Sequence, residues 1–184
     1  MRVPLRNTAA AWGLVAQLLH WLVVAGVVLQ FVWAWRIDET DSVRQEFALV
    51  NQHKSIGMTI LALAVIRLVW RLLSRTPEDP PTMPRWERIA ATVSHWSLYA
   101  LILAIPLTGW AYTSAAGYGA EFFGLIDIPD LAPSDEDLEG LFEDAHEFLG
   151  QALLAVTAVH AGAALRHHFL LRDDVLRRML PFGR

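Results

Sequence analysis

The sequence predicts an all-α fold, a four-helix transmembrane bundle with both termini in the cytoplasm, and three observations carry that prediction. Of 184 residues, 54% are hydrophobic and only 18% are charged, against about 25% charged in an average soluble domain. Long stretches hold no Asp, Glu, Lys or Arg: Trp12 to Trp35, Ile89 to Ala120 and Phe148 to Leu165. The cations are also segregated. Arg2 and Arg6 precede the first run, Arg67, Arg71, Arg75, Arg85 and Arg88 cluster about the second connection, and Arg166, Arg172, Arg177, Arg178 and Arg184 close the chain. In an even-numbered bundle these twelve of fifteen Lys and Arg share one side, and Lys and Arg mark the cytoplasmic side.

The four spans fall at approximately 12–35, 53–73, 90–113 and 146–169, in one integral-membrane domain covering 1–184. Each reaches or approaches the roughly 20 residues needed to cross a hydrocarbon core of about 30 Å. The first follows two arginines, as a signal peptide would. It is too long for such a segment, however, and Trp33, Trp35 and Arg36 stand where a small-residue cleavage site belongs. The first connection, Ile37 to Asn51, has few cations. The second span carries Lys54 at one end and Arg67 and Arg71 at the other, where long side chains can snorkel. Ser74 to Pro84 (SRTPEDPPTMP) is a short, stiff link that cannot be helical throughout.

Within the third span, Pro106 removes one helical hydrogen bond. Two readings stand: the proline common in membrane helices, or a kink that makes room for a flat ligand. The third connection, Ser114 to Ala145, has no Lys or Arg against nine carboxylates, and its Gly117–Pro133 part is expected to fold over the outer face. Ser134 and Asp137 read as a helix cap, so the fourth helix is expected to begin near Asp135 and run unbroken through His146. The closing RDDVLRRML reads as a basic amphipathic segment on the cytoplasmic surface.

Function is carried by histidine. The chain has seven His and no Cys, which excludes disulfides, iron–sulfur clusters and thiolate ligands. His146 and His160 are fourteen residues apart, close to four helical turns, so they share a face and lie roughly 21 Å apart along the axis. Sorted by depth, His53 pairs with His146 near the outer surface and His20 with His160 near the inner one. Haem iron held by two axial imidazoles suits such pairs, and being coordinatively saturated it would shuttle electrons. Closed zinc sites want four clustered ligands instead, and a proton relay would want carboxylates inside the spans, where there are none. A lone intramembrane His can also be a hydrogen-bonded bundle residue.

The other polar candidates each admit two readings. Arg67 and Arg71, one turn apart, are cytoplasmic anchors or partners of the inner haem's propionates, which guanidinium suits by geometry. Lys54 is an outer propionate contact or an interfacial anchor. His95 reaches a propionate or a quinone carbonyl, or sits at the interface. His167 lies two turns beyond His160, and His167 and His168 also suit a helix C-terminus without any further role.

Several stretches resemble the bacterial cytochrome b561 family. They are LLHWLVVAG around His20, NQHKSIGMTILALAVIRLVWRL around His53, HWSLYALILAIPLTGW around Pro106, FFGLIDIP, and DAHEFLGQALLAVTAVHAGAALRHHF ending in RDDVLRRMLP. The resemblance spans nearly the whole chain in order. It implies a four-helix inner-membrane cytochrome with two haem b groups, with His20, His53, His146 and His160 as axial ligands to haem iron. It places His95 and His167 at polar positions near the cytoplasmic-side haem or quinone. It further implies ubiquinone as redox partner and, in the best-defined activity of the family, oxidation of superoxide at the periplasmic side. No nucleic-acid partner is expected.

Superoxide is an anion, and fast capture wants a positive approach. The acidic third connection departs from that unless Lys54, Arg44 and Arg36 build a local funnel, and it would equally suit a basic periplasmic redox protein such as a c-type cytochrome. Three functions follow: a quinone-linked oxidoreductase or electron carrier; a haem-bearing membrane anchor for a partner dehydrogenase; or a haem-free transporter or sensor. The last wants a broken-helix pathway, of which only Pro106 is a hint.

Overall fold

The computed structural model describes residues 4–181; Arg2 and Arg184, two of the cations used to orient the chain, lie outside them. Four helices account for most of the chain: α1 (Leu14–Asp38), α2 (Val43–Leu73), α3 (Arg85–Ala115) and α4 (Glu136–Arg166). All four are long and apolar enough to cross a membrane. They pack as a four-helix bundle, α3 against α4 and α1 against α2, with α2 also meeting α3.

The helices outrun the apolar runs. The expected connection Ile37 to Asn51 shrinks to four residues, because α1 continues to Asp38 and α2 starts at Val43. Nothing between 37 and 51 is Gly or Pro, so a polar helix can extend past the bilayer at no backbone cost. At 31 residues, α2 is roughly 46 Å long, well beyond a core of about 30 Å. The proline-rich link stays non-helical and packs on the N-terminal segment, Glu78 N–H donating to Ala9 O at 2.9 Å and Asn7 Nδ2 to Arg75 O at 3.0 Å.

A backbone inside lipid must satisfy its own polar groups, which is why the spans are helical. Helices then associate by close packing and small residues, since lipid is as apolar as their side chains. Gly26 shows this: a Cβ there would stand 2.8 Å from Ile60 Cγ1, so α1 and α2 approach too closely for a larger residue. Val23, Val27 and Leu153 form the buried core, with Phe31, Leu63, Leu98, Leu101, Ile102 and Ile105 packed around it. Leu153 lies seven residues from both His146 and His160, so this apolar layer occupies the middle of the bundle. Leu22, Val28, Ile66, Val93 and Val159 are exposed on the outside, as lipid-facing residues are.

Two connections differ from expectation. The third contains a hairpin that the sequence did not reveal, β1 (Ala120–Phe122) antiparallel to β2 (Ile126–Ile128), with Glu121 opposite Asp127. Phe123 and Gly124, at the centre of its turn, both have positive φ (52° and 67°), the geometry favoured in tight hairpins. The hairpin is fastened to α2. Ser55 Oγ accepts from Phe123 N–H at 2.9 Å and donates to Asn51 O at 2.9 Å, with Glu121 O at 3.2 Å. Lys54 Nζ donates to Gly119 O at 3.2 Å.

The cap of α4 also shifts by one residue. Asp135, not Ser134, is the N-cap, its Oδ1 accepting from Leu138 N–H at 3.0 Å. The carboxylate is the stronger acceptor and leaves Ser134 outside the helix.

The C-terminal segment, expected as a basic amphipathic stretch, is mostly irregular. After a π-helical turn (His167–Leu171) and a left-handed Arg172 (φ 56°), it folds back as a strap with one 3₁₀ turn (Arg177–Met179). Gln17 Nε2 and Trp21 Nε1 donate to the carbonyls of Arg178 and Met179, both at 2.9 Å. The strap thereby satisfies polar side chains at the inner end of α1.

Ser55→Ala should leave Phe123 N–H unpartnered, at a cost of about 1–3 kcal/mol. Amide hydrogen exchange of residues 120–128 should accelerate about tenfold or more while α2 keeps its protection; unchanged exchange would show that the hairpin is held by other contacts.

Candidate functional site

At the end of the bundle away from the chain termini, called outer from the expected orientation, α2 and α4 bring His53 and His146 together, their ring centroids 6.1 Å apart and planes inclined at 71°. Two imidazoles binding one metal ion from opposite sides, at about 2.0–2.1 Å each, would place their centroids roughly 6 Å apart. The third helix fixes one of these rings. His146 Nδ1 lies 2.9 Å from Ile105 O, and Thr108 Oγ1 donates to the same carbonyl at 2.9 Å. A carbonyl only accepts, so Nδ1 carries the proton and the Nε2 lone pair is free for a metal.

Room for the ring comes from Gly109. A Cβ there would stand 2.8 Å from His146 Cε1 and 3.0 Å from Nδ1. The Pro106–Gly109 stretch therefore receives an imidazole, which is more specific than the space for a flat ligand that Pro106 suggested.

At the inner end, α1 and α4 set His20 and His160 6.4 Å apart, planes at 73°. The two pairs share a spacing. His95 of α3 joins the inner pair, its ring 5.3 Å from that of His160. The Nδ1 atoms of His20 and His53 are buried without a hydrogen-bond partner among the described residues, a desolvation cost that the protein's own groups do not offset.

Arg67 and Arg71 approach this end from α2. The Arg67 guanidinium stands 5.2 Å from the Tyr99 ring, and that of Arg71 5.8–5.9 Å from Tyr99, Trp12 and Trp96. Both are half-buried, and neither has a carboxylate within ion-pairing distance among the described residues. Half-buried cations normally have a counter-ion, so two guanidiniums stacked on aromatics beside the histidine pair form a ready carboxylate site.

The remaining candidates lie elsewhere. Lys54, next to His53, is hydrogen-bonded to the hairpin. His167 is buried in an ionic cluster: its Nδ1 meets Asp173 of the strap, and its Nε2 lies 3.8 Å from Glu87 Oε2, itself bound by Arg166 at 2.8 Å. That cluster ties the start of α3 to the end of α4. Sequence reading missed Glu87 and Asp173 because their partners are distant in the chain. It also missed Ile105, which acts through a backbone oxygen that no side-chain pattern marks.

Among the described residues no three or more His or carboxylates gather into a metal cage. A metal held by either pair would draw two ligands from the protein and need the rest from elsewhere. The group that fits is one bringing its own planar set of donors, as haem does.

A profile of the prokaryotic cytochrome b561 family matches residues 11–182. The chain belongs to that family. It is 32% identical to cytochrome b561 homolog 2 of Escherichia coli K12, over 95% of this chain and 93% of the relative. It is 30% identical to cytochrome b561 homolog 1 of the same organism, over 89% and 93%. It is also 32% identical to a probable superoxide oxidase of Yersinia pestis, over 89% and 92%. Membership brings b-type haem binding, electron transfer in a membrane and a multi-pass place in the bacterial inner membrane.

For this member of the family, Gly109→Val should put methyl groups where the His146 ring lies. The purified variant should lose bound haem, read as pyridine haemochromogen, while its far-UV circular dichroism stays that of the parent. Undiminished haem would show that the ring has another position.

Proposed function

We propose that this chain carries electrons across the inner membrane through two b haems, an outer one held by His53 and His146 and an inner one held by His20 and His160. The observation that carries the reading is two histidine pairs of matching spacing on opposite ends of α4, with an apolar layer around Leu153 between them. Bound between two imidazoles, each iron supplies a coordinatively saturated one-electron carrier. Ile105 O holds the His146 ring in the tautomer that presents Nε2. Arg67 and Arg71 bind the propionate carboxylates at the inner end, and their aromatic neighbours keep the guanidiniums in place. His95, against His160, contacts a propionate or the carbonyl of ubiquinone, the membrane partner. His167, with Asp173 at Nδ1 and Glu87 facing Nε2, instead fastens α3 to the strap beside this end.

The clustering of cations at the ends that carry the termini supports a cytoplasmic location for both. His20 and His160 then face the cytoplasm, and His53 and His146 the periplasm. Similarity to a probable superoxide oxidase makes superoxide:ubiquinone oxidoreductase one form of the activity. The acidic third connection favours the other form, in which the outer electron partner is a periplasmic redox protein, because carboxylates repel superoxide and attract a cationic protein.

The holoprotein should contain two six-coordinate, low-spin b haems per chain. His146→Ala should bring the haem content to about one, with the remaining haem removed by the further change His20→Ala; one haem in the parent protein would overturn the pairing. Removing a cation beside a haem disfavours the more negative, reduced state, so Arg67→Gln should lower the inner midpoint potential. A shift on the order of 50 mV, close to a tenfold change in a one-electron equilibrium, should appear in an optical redox titration, with the outer potential unmoved. Mixing the isolated protein with ubiquinone and superoxide separates the two forms of the activity: rapid quinone reduction marks an autonomous oxidase, and none marks a protein partner.

A further inference from the structure

We propose that the outer hairpin is a docking platform for a soluble, lysine-rich one-electron carrier of the c-type cytochrome kind. This rests on the electron-transfer reading above and names its outer partner.

The hairpin is built as a rigid, exposed surface. Its first strand is fastened along α2 from end to end, Gly119 O to Lys54 and Phe123 N–H to Ser55, the two residues that follow His53, so it stands directly beside the outer histidine pair. Its far side is fastened to α3, where Trp110 Nε1 donates to Pro129 O at 2.9 Å and Leu131 N–H to Ser114 Oγ at 3.0 Å. Yet its outward side chains are open: Leu125 in the turn is 83% exposed, Ile126 62%, and Tyr118, just before β1, 77%. Phe123 is held at φ 52° with its ring half outside. A left-handed Phe in a turn that Gly or Asn would fill more cheaply is strain kept for what the ring presents, which is an observation pointing to function.

Charge selects the occupant. Glu121 and Asp127 stand opposite each other across the two strands, both exposed and neither ion-paired among the described residues. Like charges directly opposite destabilise a hairpin, and a cationic partner removes that repulsion. Asp130 follows β2, and Asp135, Glu136 and Asp137 open α4 close by, Asp135 N–H being bonded to Ala115 O at 3.0 Å. An apolar centre within a charged rim is the anatomy of a small transient interface. A segment built to enter lipid headgroups would carry Lys or Arg on its polar side, and this connection has none. Each encounter moves one electron between the carrier's haem iron and the outer site, one iron going from ferrous to ferric and the other from ferric to ferrous, with no bond made or broken.

The test uses the dithionite-reduced holoprotein in zwitterionic nanodiscs, mixed in a stopped-flow instrument with ferric lysine-rich cytochrome c. The second-order rate of b-haem oxidation should fall at least about tenfold between roughly 20 and 200 mM salt, as for a steered encounter. The double variant Glu121→Lys/Asp127→Lys should be slower by about tenfold at low salt, and Leu125→Ser by a few-fold, with the haem spectra of both unchanged. Rates insensitive to salt and to these substitutions would overturn the proposal. So would quenching of Leu125→Trp by brominated lipid, which would place the tip in the bilayer. A holoprotein without the b-haem spectrum, seen before mixing, would instead remove the electron-transfer reading itself.

Discussion

The contact between His146 and the Ile105–Gly109 stretch of α3 is the constraint on which the outer half of the bundle depends. One ring demands three things of a neighbouring helix. It needs a carbonyl to take its Nδ1 proton, a surface without a Cβ at Gly109, and a helix axis close enough to supply both. Proline at 106 removes one backbone donor from the same turn, so the polar and steric adjustments are concentrated in a single turn of α3. The pairing of α3 with α4 follows from this, and so does the register that sets His146 opposite His53.

The two ends of the bundle solve different problems. The outer pair is fixed by a backbone oxygen and a missing side chain, and it lies beneath a hairpin fastened to the same helix. The inner pair is embedded among His95, Arg67, Arg71 and three aromatic rings, and the strap closes over the neighbouring end of α1. Between them lies the apolar layer around Val23, Val27 and Leu153. This asymmetry matches the surroundings: cationic and aromatic groups gather at the inner end, and carboxylates with exposed apolar groups at the outer one.

Much of the fold was legible because the bilayer imposes so simple a rule. A run of apolar residues in lipid must be helical, and the positions of Arg along the chain separate one set of ends from the other. The histidine pairs were legible for a related reason: helix rise converts residue number into depth, so His53 matches His146 and His20 matches His160 before any contact is known. Outside the bilayer that conversion fails. Water can satisfy a helix, a strand or a turn equally well, so the helical reach of α2 over 43–51 was not foreseen, nor were the hairpin and the strap.

Sequence by itself determined that there are four membrane helices, which histidines share a depth, and where the charge lies, because each depends on composition and helical period alone. Tertiary structure decided which ring is oriented by Ile105 O, that Gly109 is the place where α3 admits it, that His167 joins Glu87 and Asp173, and that the acidic loop is a fastened hairpin. These are contacts between residues tens of positions apart. They exist only when two helices meet at one distance and one rotation, and neither quantity is written in the period of either helix.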